Sequence, residues 1–165
     1  MSVLALDLGT NCGFALLHPT GLTISGTWDL SVNKRIESPG MRYVRFREHL
    51  NVMARNNGVR QVYFEEVRRH AGTTAAHVYG GLMAIMLAWC ADNGIEFQSV
   101  PVGEIKRAWT GKGNASKDEM IAEARRRGYD PVDDNEADAM AILVLKTEGD
   151  KIMTTVSRAD RGGAK

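Results

Sequence analysis

Acidic residues stand where apolar runs stop. Asp7 follows Val3-Leu4-Ala5-Leu6, and Glu65-Glu66 follow Val62-Tyr63-Phe64. Asp138 lies inside a third apolar stretch, ADAMAILVL, with Asp134 four residues and Asn135 three residues before it. A carboxylate in such a place costs free energy unless it is paired or holds a cation. Each position also has an ordinary account. Asp7 could cap a turn with Gly9 and Thr10, the two glutamates could be exposed acids at a strand end, and Asp133 and Glu136 suit a helix N-terminus. Taken together, the acids predict a cluster that holds hard divalent cations. Mg²⁺ is the expected ion, two per site and replaceable by Mn²⁺, because it takes a few carboxylate oxygens together with waters and phosphates. Two such ions about 4 Å apart suit water attack on a phosphodiester. Strand alternation puts Glu65 and Glu66 on opposite faces, so only one of them can join Asp7.

The basic residues fit a phosphate-bearing substrate. Arg68-Arg69-His70 follow the glutamates, and EIKRAWTGKGNASK sets Lys106, Arg107, Lys112 and Lys117 around Gly111 and Gly113. Such side chains, with backbone N–H groups, suit phosphate oxygens, although exposed lysines are also ordinary surface. TGKGNAS is not a phosphate-binding P-loop, since no Gly stands five residues before Gly111 and no Ser or Thr follows Lys112. With 21 Lys and Arg against 20 Asp and Glu, the net charge is +1. A nucleic-acid surface must therefore come from local clustering.

The elements that must position these groups can be read in order. Val3–Leu6 reads as a buried strand, and CGFALLHPTG and LTISGTWDL as two more around the Pro19-Thr20-Gly21 turn. A helix is expected from about Glu37 to Asn57, on the spacing of Tyr43, Phe46, Leu50 and Met53, stopped by Asn56-Asn57-Gly58. VRQVYFEEV is the next strand. A long apolar helix follows from Thr73 to Asp92, then the strand IEFQSV leading into Pro101. Ser116 with Glu119 forms a capping box for a helix through Arg127, and Asp133 with Glu136 opens a last helix to about Thr147. The expected fold is α/β. A mixed central sheet of about five strands, an antiparallel meander followed by parallel strands, carries helices on both faces. Residues 1–148 read as one domain and 149–165 as a polar, disordered tail. Cys12 and Cys90 lack metal-ligand spacing and read as reduced core residues. No basic segment precedes a signal-like apolar run, and LMAIMLAWCA is too short to span a bilayer, so a cytoplasmic protein without a membrane partner is expected.

As a set, these residues resemble the RuvC-type Holliday junction resolvases of the RNase H-like nuclease superfamily. The resemblance covers about Val3 to Leu145 in matching order, through LALDLGTNCGFALL, VYFEEV, VGEIKRAWTGKGNASKDEM and NEADAMAIL. Lys106 and Lys117, eleven residues apart and enclosing Gly-Lys-Gly-x-Ala, carry its most specific part. The resemblance implies that Asp7, Glu65 (not Glu66) and Asp138 are catalytic metal ligands. The family often has an acid where this chain has Asn135, so Asn135 or Asp134 is the implied fourth ligand. Lys106 and Lys117 are implied DNA-backbone contacts near the scissile phosphate that help stabilise transition-state charge, Lys117 as a catalytic residue, and Arg68, Arg69, Arg107 and Lys112 extend the DNA surface. Arg68 stands where bacterial members carry an aromatic wedge. That implies a looser sequence preference, as in phage-type members acting on branched DNA in a bacterial or phage-infected cell.

A homodimer is also implied, with the helix from Thr73 to Asp92 as its interface and Val78, Leu82, Ile85, Met86 and Trp89 as its apolar stripe. The competing readings are an RNase H-like nuclease on RNA–DNA hybrids or flaps, and a non-catalytic branched-DNA-binding module. The actin-type and sugar-kinase ATPases share the fold and the Asp-x-Gly-Thr turn. They clamp a nucleotide between two such domains, for which 165 residues with one such turn leave no room.

Overall fold

A computed structural model of the chain describes residues 1–68, 72–147 and the backbone of 156–158. Strands β1 (Ser2–Asp7), β2 (Asn11–Leu17) and β3 (Thr23–Asp29) form the antiparallel meander. Helix α1 (Met41–Asn57) leads to β4 (Val59–Glu66), parallel to β1, and α2 (Thr73–Asn93) leads to β5 (Glu96–Pro101), parallel to β4. Helices α3 (Val102–Thr110), α4 (Lys117–Arg126) and α5 (Asp134–Lys146) follow. A short strand β6 (Val156–Arg158) runs parallel to β3, giving the order β5-β4-β1-β2-β3-β6. β6 falls within the segment read as a disordered tail. The free backbone groups along the edge of β3 account for it, since an unpaired edge accepts another strand. The rest of 149–165 lies outside the described residues.

Alternation along the strands makes two unequal faces. Leu4, Leu6, Phe14, Leu16, Val62 and Phe64 fill one core with α1 and α2. Ala5 and Ala15, flanked by Val3, Leu17 and Tyr63, meet α3, α4 and α5 on the other. The second face is small-residued at its centre, and there α5 comes down on the sheet. A Cβ placed on Gly13 would lie 1.9 Å from the carbonyl oxygen of Asn135, so only glycine fits. Polar contacts fix α5 along β3. Asp133 caps the helix by accepting the Glu136 N–H (2.9 Å) and also accepts the Thr27 hydroxyl (2.7 Å). Glu136 is buried and accepts the Ser25 hydroxyl and the Val132 N–H, both at 2.7 Å. Asp133 is thus the helix-start acid the sequence suggests, while Glu136 pins α5 to β3.

Several local features depart from the sequence reading or complete it. α1 begins at Met41, not Glu37, because Pro39 disfavours helical backbone at Ser38 and 33–37 forms a turn of its own. Ser116 and Glu119 make both bonds of the capping box, at 3.3 and 2.8 Å. In α2, Leu82, Met86 and Trp89 are buried in the chain's own core, so most of the stripe expected at a dimer interface is already committed. On the opposite side of the helix His77, Ala84, Ala88 and Ala91 are exposed. At 21 residues α2 is long and apolar enough to cross a membrane by length and composition, unlike the shorter run read from sequence. Five of its residues, Tyr79, Leu82, Met86, Trp89 and Cys90, are buried in the chain's own core. Both cysteines are free and buried.

The approach of α5 gives a direct test. Gly13→Ala should lower stability by about 1–3 kcal/mol, the usual cost of overpacking, and depress the thermal midpoint by several degrees. Gly103→Ala, on α3 where a Cβ meets nothing within 4 Å, should leave the midpoint unchanged or raise it slightly.

Candidate metal centre

The register of β1 on β4 pairs Ala5 with Tyr63 and Leu6 with Phe64, which sets Asp7 beside Glu65 at the C-terminal ends of the two strands. Both follow the alternation of Ala5 and Tyr63 and so face α5. Glu66 follows Phe64 to the opposite face, where it pairs with Arg68 at 3.0 Å. Asp138 descends from α5, five residues beyond the Asp133 cap. One carboxylate oxygen each from Asp7, Glu65 and Asp138 lie within 4.8 Å of one another, all partly buried. The Asp138 Oδ1 atom is buried and has no hydrogen-bond partner among the described residues.

Three acids this close repel one another, and burial adds to the cost. Burial, followed by the charges of Glu65 and Asp138, holds the Asp7 carboxyl well above the usual carboxylate range. Burial also raises Glu65, against a hydrogen bond with Asp7 and the nearby charge of Lys106 that pull it down. Asp138 is pushed up to about 7, by burial first and Glu65 second. Two lysines stand around the trio. The Lys117 ammonium meets Asp134 at 2.5 Å, and this pairing raises its pKa. Lys106 donates to the Ala115 carbonyl at 2.8 Å, and its charge reaches both Glu65 and Asp138. With all groups ionised, Asp7, Glu65, Asp138 and Asp134 carry four negative charges against two positive ones, which leaves two uncompensated. An all-oxygen donor set, an orphaned buried carboxylate oxygen and that surplus charge fit a hard divalent cation.

No family model matches the chain. A crossover junction endodeoxyribonuclease RuvC from Anaeromyxobacter sp. (strain Fw109-5) is 31% identical over 147 residues, covering 87% of this chain and 71% of that protein. The chain belongs to the RuvC family. Its fold is likewise that of Thermus thermophilus RuvC in complex with Holliday junction substrate, at a TM-score of 0.69 and 22% identity over 89% of this chain and 93% of that one. The yeast mitochondrial Holliday junction resolvase shares the fold more distantly, at a TM-score of 0.57 and 13% identity over 87% and 77%. The resemblance read from the motifs thus agrees with both sequence and structure, and the acidic trio can hold the metal on which this nuclease family depends.

The remaining residues singled out in this RuvC-family chain are spread around that centre. Asp134 stands beside the trio, close enough for its charge to raise Asp7 and Asp138. The backbone of Asn135 rests on Gly13. Arg68 is exposed beside Glu66, Arg107 lies along Gly113, and Lys112 meets Glu119 at 2.5 Å. Arg69 lies outside the described residues. Two contributors escaped the sequence reading. Gly13 admits α5, and Tyr79 of α2 ties the end of β4 by donating to the Glu65 carbonyl (2.9 Å) and accepting the Val67 N–H (3.3 Å). The one signal for Tyr79 was a hydroxyl-bearing ring one turn before Leu82 on a core-facing helix.

The raised carboxyl of Asp138 sets a pH dependence with a definite sign. The folded chain keeps that proton up to about pH 7, whereas the unfolded chain releases it near 3.8. In the absence of metal, stability therefore falls as pH rises through this window and levels off above it. Asp138→Asn should flatten the decline, raise stability at pH 8 by roughly 1–3 kcal/mol, and abolish any gain from divalent cation. Calorimetric melts from pH 5 to 8, in EDTA and in Mg²⁺, would show both effects.

Proposed function

We propose that the chain is a metal-dependent, structure-selective endonuclease that nicks four-way junctions and other branched DNA in symmetric pairs. The reading is carried by one observation: three carboxylates converge beside two lysines, in the order along the chain that the RuvC-family motifs imply. Asp7, Glu65 and Asp138 would hold Mg²⁺, two ions with the substrate present, with Asp134 better placed than Asn135 as the fourth ligand. When bound, such cations supply Lewis acidity that eases deprotonation of the attacking water and offsets charge on the phosphodiester. Lys117, poised by Asp134, sits where it can turn to a phosphate oxygen and stabilise charge growing in the transition state. Lys106 approaches from the α3 side. Arg68 and Lys112 hold only exposed surface ion pairs and can exchange them for phosphates at little cost. Arg69 and Arg107 would extend the same surface. Gly9 fits this picture, since a Cβ there would meet only the Asn11 carbonyl, at an ordinary 3.5 Å, and the protein itself does not require glycine.

The test is cleavage of a four-way junction, a flap, a linear duplex and an RNA–DNA hybrid, each with Mg²⁺ or EDTA. The expected result is paired symmetric nicks in the junction. These are lost in EDTA and reduced at least about a hundredfold in Asp7→Asn, since ligand loss exceeds the effect of disturbing outer partners. Cleavage confined to hybrid or flap would move the chain to those substrates, and junction binding without any cut would make it a binding module. With Arg68 in place of an aromatic wedge, cuts should fall at many sequences. Cleavage at a single short sequence would contradict that part.

Symmetric nicking needs two centres related by a twofold axis, so the reading includes a homodimer. Because Leu82, Met86 and Trp89 are already buried, the pairing side of α2 would be Gly80, Ala84 and Ala88, small enough for two helices to approach closely. Ala88→Arg should yield monomers in sedimentation at micromolar concentration, with nicks on the two strands no longer paired. A wild type that is monomeric under those conditions would count against the dimer.

A further inference from the structure

The connection between β3 and α1 is built, not loose. It leaves the sheet at the carboxylate end, where the Leu30 N–H donates to the Thr10 carbonyl at 2.8 Å, just past Asp7. Residues 33–37 then close on themselves. The Ile36 and Glu37 N–H groups donate to the Asn33 carbonyl at 3.0 and 2.8 Å. The Arg35 N–H donates to Asn33 Oδ1 at 3.1 Å, and the Asn33 N–H donates to Glu37 Oε2 at 2.7 Å. Arg45 of α1 clamps the turn from below, pairing with the Glu37 carboxylate and donating to the Ser31 carbonyl at 2.6 Å.

What this turn presents is unusual for a solvent-facing tip. Ile36 is 82% exposed, more than any other large apolar side chain among the described residues except Met1. Lys34 and Arg35 precede it, both exposed. Among the described residues neither is in an ion pair, whereas Arg68, Lys112 and Lys117 each hold a carboxylate. A rigid turn that offers two free cations and one apolar tip, at the end of the sheet where the acids converge, has the chemistry of a nucleic-acid contact. Free lysine and arginine side chains hold phosphates and release counterions, and isoleucine is among the side chains that wedge against base steps. The patch is far too small to dock a folded protein.

Resting on the nuclease reading above, we infer that the turn 33–37 is a second DNA-contacting element, in which Lys34 and Arg35 hold phosphates beside the carboxylate centre and Ile36 lies against a base exposed at the branch point. A separate role follows for each residue type. The cations contribute to binding of any duplex, and the isoleucine distinguishes branched from continuous DNA.

The test is binding in EDTA, which prevents cleavage, of a four-way junction and a linear duplex carrying 2-aminopurine, at the branch point and at the matching position. All three side chains are exposed, so melting curves of the variants should match wild type. Lys34→Ala/Arg35→Ala should weaken binding to both DNAs about tenfold near 0.1 M salt and reduce the slope of log affinity against log salt by about two. Ile36→Ser should keep duplex affinity, lose several-fold in junction affinity, and lose the fluorescence rise that marks an unstacked base. Wild-type junction binding that both variants reproduce in affinity, salt slope and fluorescence would overturn the inference while leaving the nuclease reading intact. A wild type with no preference for junction over duplex would overturn both.

Discussion

The closeness of α5 to β1 and β2 is the constraint on which the rest depends. A helix settles this near a sheet only where the strand residues beneath it are small, and Ala5, Gly13 and Ala15 supply that surface. Polar bonds from Ser25 and Thr27 then fix where along β3 the helix starts. Asp138 reaches Asp7 and Glu65 because of both. A bulkier residue at position 13 would lift the first turn of α5, and with it Asp138, five residues past the cap. The site is thus built on regular elements, which hold side chains more firmly than loops do.

The same closeness makes the metal-free centre costly. Three carboxylates within 4.8 Å of one another, all partly buried, work against folding, and the raised carboxyls of Asp7 and Asp138 express this. Lys106 and Lys117 offset part of the charge, and a divalent cation would offset the rest. A surrounding core of buried leucines, aromatics and alanines tolerates such a centre, as functional sites commonly trade stability for activity.

Much of this was legible in the sequence, for reasons that can be named. Local patterns were enough for the strand ends at Asp7 and Glu65, the Ser116–Glu119 capping box and the acid inside ADAMAILVL. The ordered set of motifs was enough for the family. Alternation could separate Glu65 from Glu66 but not choose between them, because the choice depends on which face α5 covers. The residue-by-residue family match favoured Glu65, and the register of β4 on β1 now places it beside Asp7. The start of α1 was misread because apolar spacing carried the helix through Pro39 and Gly40. The α2 stripe was equally apolar whether it met a partner or the chain's own core, and only packing shows Leu82, Met86 and Trp89 inside. Gly13 and Tyr79 act through contacts between elements distant in sequence, about which local pattern is silent. Strand β6 depends on the free edge of β3, which appears only once the sheet is assembled.

The central claim is that Asp7, Glu65 and Asp138 form one metal centre whose carboxyls give up protons to the cation. Calorimetric titration with Mn²⁺ at pH 6.5, repeated in buffers of different ionisation enthalpy, measures cation binding and proton release together. Saturable binding with net proton release, both lost in Asp7→Asn, is the predicted result. Binding that releases no proton, or that survives Asp7→Asn unchanged, would contradict the account.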